Sequence, residues 1–259
     1  MDVWASGHAY EPYVGRWSRL VAREFLRWLA IPSERSWLDV GCGTGALTQT
    51  ILHENAPRAI KGVDQSEGYI AYTRQQIRHP SATFEVGNAQ ALPFEDATYD
   101  AVVSGLVLNF IPDQPRAVGE MARVARPSAT VSAYVWDYAG EMQLMRHFWD
   151  AAALDPTARP LDEGVRFPVC KPEPLRKLFL EARLRDVDVR SIDVPTHFRD
   201  FDDYWSPFLG GQGPAPSYAM SLSEERRSAL RDYIRAHLPI ASDGSIDLMA
   251  RAWAVRGTR

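Results

Sequence analysis

Cysteine is nearly absent: only Cys42 and Cys170 occur in 259 residues. Two thiols so placed exclude a disulfide framework and a cysteine-rich metal site, and they fit a reducing cytoplasm. No run of five basic residues occurs, and a net charge of -4 gives no footing for a polyanion, so nucleic acid is excluded as an expected partner. Lysine is scarce too. It appears at positions 61, 171 and 177, and the other 26 of the 29 basic residues are Arg, a skew of composition rather than a phosphate-binding pattern. No stretch reaches the roughly 18 apolar residues of a membrane span, and the first fifteen residues have no basic-then-apolar leader, so a soluble, unprocessed protein is expected. None of the six His residues pairs with another His, Cys or acid at a metal-binding spacing, so no metal is expected. A serine nucleophile elbow is also missing.

Against these absences, 46% hydrophobic residues suffice for one sizeable core, and a single domain over 1–259 is expected. Val14, Trp17, Val21, Phe25, Trp28 and Leu29 recur at helical spacing up to Pro32, which predicts an N-terminal helical arm within residues 1–35. Over residues 36–136 strand-like runs alternate with helical ones. The predicted strands are 36–40, 59–64, 83–86, 100–104 and 130–136, with helices from Ala46, over 66–79 and over 113–125. Two further strands are expected at 187–194 and 247–255. The alternation predicts an α/β, Rossmann-like fold: a seven-stranded, mostly parallel sheet with helices on both faces. Segments 137–174 and 199–244 break the rhythm. They are expected to be insertions forming a helical lid, with helices at 141–153 and 224–238 and with GGQGPAPS read as turn-rich, while a helix at 175–182 is expected between them beside the sheet.

The chemistry concentrates on Asp39-Val40-Gly41-Cys42-Gly43-Thr44-Gly45, where a strand passes through three glycines into a helix. Glycine lets a ligand approach the backbone, and the helix start offers unpaired N–H groups. The same letters satisfy the dinucleotide fingerprint, with Asp64 at a suitable distance, so a nicotinamide-dependent oxidoreductase is a rival reading. Asp39 weighs against it, because an acid beside this turn suits a ligand ammonium and repels a pyrophosphate.

With these motifs in place, the chain resembles the class I S-adenosylmethionine (SAM)-dependent methyltransferases, in particular the small-molecule group of ubiquinone and menaquinone biosynthesis. The resemblance rests on LDVGCGTG (38–45), GVD (62–64), GNAQALPF (87–94), YDAVVSGLVLNFIPD (99–113) and MARVARP (121–127), and covers residues 10–137 well. It implies that Asp39, Gly41, Gly43 and Gly45 hold the methionine part of SAM and that Asp64 accepts the ribose hydroxyls, two donors suiting a two-oxygen acceptor. It further implies that Asn88 and Ala89 read the adenine edge, Gln65 lies against the adenine, and Ser104 lines the methionine side. S-adenosylhomocysteine (SAH) would be the product. Two departures occur: Asn88 stands where the family has Asp, and Arg126-Pro127-Ser128-Ala129 replaces Arg-Pro-Gly-Gly.

Beyond the motifs, Tyr13 and Arg16 are candidates for closing over the cofactor, near the sulfonium and the carboxylate. Trp136, Trp149 and Trp205 are candidates for an apolar substrate pocket, with Asp137 and His147 as candidate bases. The expected reaction is in-line methyl transfer to a small molecule through an O, N or C nucleophile. A SAM-binding protein without catalysis is the third reading.

Overall fold

The computed structural model describes residues 15–210 and 213–259. Seven strands form one sheet: β1 Ser36–Val40, β2 Ala59–Asp64, β3 Ala82–Val86, β4 Tyr99–Gly105, β5 Ala125–Trp136, β6 Arg185–Phe198 and β7 Ile246–Thr258. Their order is β3-β2-β1-β4-β5-β7-β6, and β3, β2, β1, β4 and β5 are mutually parallel. The predicted α/β, Rossmann-like class is therefore the observed one. The order reverses between β1 and β4. In an open parallel sheet the crevice outside the strands' carboxyl ends at that reversal is where ligands bind.

Two compact units divide the chain. The larger comprises Ser18–Val135, Val169–Ile192 and Ala252–Arg259, and the other comprises, among the described residues, those from Gly15 to Trp17, Trp136–Pro168 and Asp193–Arg251. In the larger unit β1 reads as a near-continuous apolar run because helices cover a parallel sheet on both faces; Trp37, Leu38 and Val40 are fully buried. The N-terminal helix Arg16–Leu29 lays down Val21, Phe25 and Leu29, four residues apart and all buried. The Phe25 ring packs 4.7 Å from that of Tyr134 on β5. The helix Glu67–Gln76 starts at Ser66, whose hydroxyl accepts from the Tyr69 N–H, and the helix Gln114–Val124 starts at Asp113, whose carboxylate accepts from the Arg116 N–H. Both are ordinary side-chain caps.

Strand β5 begins five residues before the predicted 130. The Arg126–Ala129 segment lies inside the strand as an irregularity: Tyr99 pairs with Ala125 but Ala101 with Thr130. Ser128 takes a φ of 66° there, a left-handed conformation that suits glycine best.

The second unit carries an aromatic cluster. Phe148, on the helix Gln143–Ala152, stacks on Phe208 with centroids 4.5 Å apart and meets Trp149 edge-on at 5.2 Å. Trp205 lies nearly parallel to Phe201, at 7°. The turn-rich reading of GGQGPAPS is corrected for its second half, because Pro214–Ser221 is a helix. Pro214 and Pro216 sit in its first turn, where a helix has no use for their missing N–H groups. Among the described residues no helix is long and apolar enough to cross a membrane.

Candidate cofactor site

The site is built where β1, β2 and β4 end. Val63 at the end of β2 accepts two N–H groups from the glycine turn, Gly41 at 2.7 Å and Cys42 at 3.0 Å, while Thr73 donates its hydroxyl to the Gly43 carbonyl at 2.7 Å. These bonds hold the turn open. All three glycines have positive φ, 75°, 50° and 86° at Gly41, Gly43 and Gly45. Their surroundings differ. A Cβ at Gly41 would lie 2.4 Å from Val107 Cγ1 and one at Gly45 2.5 Å from Ile77 Cδ1, but one at Gly43 would meet nothing within 4 Å. Gly41 and Gly45 are therefore needed for packing, and Gly43 opens onto the space a ligand would fill.

Asp64, the last residue of β2, faces the turn. Its Oδ2 accepts from the Gly43 N–H at 3.0 Å and its Oδ1 from the Ser66 N–H at 2.9 Å. Each oxygen retains a further lone pair, so the carboxylate is oriented yet still able to receive two hydroxyls. Burial pushes its pKa up, against the two backbone bonds. Asp64, Gln65, Gly41, Asn88 and Ala89 line one cleft together with Val107 and Ile111.

Asp39 is wholly buried. Its Oδ2 accepts from the Thr48 hydroxyl at 2.6 Å, and its Oδ1 has no hydrogen-bond partner. Burial first, and the neighbouring Asp64 charge second, push this carboxyl up to about 7, with the Thr48 bond working against them. A buried oxygen left without a partner calls for an explanation, and a ligand ammonium supplies one. Open space over Gly43, the two-oxygen acceptor Asp64 and the orphaned Asp39 oxygen together fit the ribose and amino-acid ends of SAM.

Other expected residues have different surroundings. Asn88 is exposed, and its carboxamide oxygen accepts from both the backbone and side-chain N–H of Gln90, at 2.9 and 3.2 Å. Gln90 in turn accepts from the Asp113 N–H at 3.0 Å, so it ties two cleft loops together. Ser104 is buried and donates its hydroxyl to the Val40 carbonyl at 2.8 Å, joining β4 to β1. Tyr13 lies outside the described residues. Arg16 belongs to the second unit, where Nη1 donates to Asp203 at 3.1 Å and the guanidinium lies 4.4 Å from the Trp17 ring and 4.7 Å from that of Phe198.

Also in the second unit, Asp137 is buried and accepts from the Glu141 N–H at 3.0 Å, which makes it the anchor of the turn after β5. His147 is half-buried, and burial lowers its pKa below the usual 6.5. The Trp136 indole N–H is buried without a partner. Trp149 donates its indole N–H to Glu163, a buried carboxyl pushed up to about 8 chiefly by burial. Trp205 packs within the aromatic cluster. Thr48, Gln90, Asn109 and Glu163 were absent from the residues singled out by sequence. Only Asn109 carried a signal, as the one polar residue in the apolar run 106–112.

The chain is similar to known methyltransferases. Residues 38–133 match the family model of a methyltransferase domain. A demethylmenaquinone methyltransferase of Shouchella clausii is 27% identical over 190 residues, 65% of this chain and 78% of that protein. Another, from Symbiobacterium thermophilum, is 35% identical over 118 residues, 44% of this chain and 47% of that protein. Beyond the first, the chain spans about half the length of the curated relatives it matches. A Haemonchus contortus phosphoethanolamine N-methyltransferase, solved with phosphomonomethylethanolamine and SAH, aligns with a TM-score of 0.61 at 14% identity, covering 97% of this chain and 56% of that one. Residues 38–133 are thus similar to a methyltransferase domain.

Proposed function

We propose that the chain transfers a methyl group from SAM to a small, apolar or aromatic acceptor. The observation that carries the reading is the pairing at the carboxyl end of β1: an orphaned buried Asp39 oxygen beside a glycine with open space above it. Asp39 would hold the cofactor ammonium, Asp64 the ribose hydroxyls, and the Gly43 turn the backbone approach. When bound, SAM supplies an electrophilic sulfonium methyl. The chain's own residues then have to orient the two reactants, and holding them in line accounts for about 7 to 11 kcal/mol of barrier lowering without an acid or base.

A small aromatic acceptor is supported by the demethylmenaquinone named for the relatives. The scarcity of cysteine, two in 259 residues, supports a reducing compartment such as the cytoplasm.

Calorimetry with SAH and NADH tests the cofactor, and transfer of labelled methyl from SAM to a panel of quinols, catechols, acids and amines tests the reaction. SAH binding without NADH binding, plus turnover of one panel class, is the expected result. NADH binding without SAH binding would refute the reading. Tight SAH binding with no turnover across the panel would favour a SAM-binding protein without catalysis.

A further inference from the structure

One polar side chain of the larger unit has no work in the fold. Asn109 sits in the single 3-10 turn Leu108–Phe110 that follows β4. It is 5% exposed, and both its Nδ2 and its Oδ1 are shut away from water with no hydrogen-bond partner. A carboxamide with neither end satisfied is unusual in a folded interior, where buried polar groups are almost always paired. Its setting is unusual as well. Leu106, three residues earlier, is bent to a φ of 61°, a conformation a bulky residue adopts only under constraint. Val107 packs on Gly41 of the cofactor turn, and Val107, Ile111 and Pro112 line the cleft that holds Asp64. The orphaned carboxamide thus lies on the turn that abuts the cofactor turn, bracketed by cleft residues.

We propose that Asn109 is the acceptor-orienting residue of the methyltransferase, its carboxamide completing its hydrogen bonds with the molecule to be methylated. This rests on the reading given under Proposed function. A carboxamide offers one donor and one acceptor side by side and carries no charge. It matches two oxygens on adjacent carbons, one bearing a proton, as in a catechol or an enol beside a carbonyl. It does not match an ammonium or a phosphate, each of which presents one kind of group only. Being a poor proton acceptor, it orients the nucleophile and does not deprotonate it.

The test uses calorimetry on the full chain saturated with SAH, with 2,3-dihydroxynaphthalene and phosphoethanolamine as probes. The parent binds the naphthalene diol and not phosphoethanolamine. Asn109→Leu, which keeps the branched shape and removes both polar atoms, binds SAH within about threefold of the parent but the diol at least tenfold more weakly. Asn109→Ser carries the same comparison should the Leu variant fail to fold. Equal diol affinity in parent and variant, no diol binding by the parent, preference for phosphoethanolamine, or a matching loss of SAH affinity in the variant each overturns the proposal. Failure of the parent to bind SAH defeats the functional reading itself and is seen before any probe is added.

Discussion

Cofactor binding should release a proton, because the Asp39 carboxyl is half protonated near neutrality while the chain is empty. Its pKa is pushed up to about 7 from the ordinary aspartate value of 3.8. An acid whose folded pKa is raised holds its proton in the native state after the unfolded chain has lost it, so stability falls as pH rises from about 4 to 7 and is level above. The interval corresponds to about 4 kcal/mol. A cationic ammonium against Oδ1 makes the ionised form the favoured one, and SAH binding then expels the proton. About 0.9 proton per site leaves at pH 6, about 0.5 at pH 7 and about 0.1 at pH 8. Over the same range affinity rises about tenfold per pH unit below pH 7 and flattens above it. Calorimetry in buffers of different ionisation enthalpy counts the protons directly. The control is 5′-methylthioadenosine, which has the adenosyl part of SAH and no ammonium, and it should release none. Equal release from both ligands, or undiminished release in Asp39→Asn, would refute the assignment of Asp39 to the ammonium.

Replacing the turn glycines separates packing from binding. Gly43→Ala should cost roughly 1 kcal/mol of stability for its positive φ but weaken SAH at least tenfold. Gly41→Ala, whose Cβ would meet Val107 at 2.4 Å, should unfold at a clearly lower temperature in chemical or thermal melts. Asp64→Ala should weaken SAH by at least about tenfold through loss of charge-assisted bonds, and calorimetry showing unchanged affinity would remove Asp64 from the site. Glu163→Gln retains an acceptor for the Trp149 indole and removes a carboxyl raised to about 8. Because the parent loses stability as pH climbs from about 4.5 to 8, the variant's advantage in thermal melts should be small at pH 5 and large at pH 9.

Local rules carried the reading of the sheet and failed where tertiary context overrides them. Strands β1, β2 and β4 are apolar runs closed by Asp or Gly, so periodicity located them and the glycine turn between them. The early start of β5 was hidden because Arg126-Pro127 looks like a stop, and nothing local announces that Ser128 accepts a left-handed φ inside a strand. Pro214 and Pro216 misled in the opposite sense: the same residue that ends a helix opens one when it falls in the first turn. At the site the two acids were legible from their positions beside glycines, but their states were not. Whether Asp39 is a solvated carboxylate or a half-protonated one depends on Thr48, nine residues on, and on complete burial. Asn88 lines the cleft, yet its oxygen is already engaged by Gln90, two residues away. An adenine amino group would have to share that oxygen or displace the Gln90 side chain, whose bond is the longer at 3.2 Å. Asn109 stood out only as one polar letter in an apolar run. In a core helix such a letter is usually satisfied by a neighbour; here it has none, and that difference, invisible in the sequence, is what turns it from packing into chemistry.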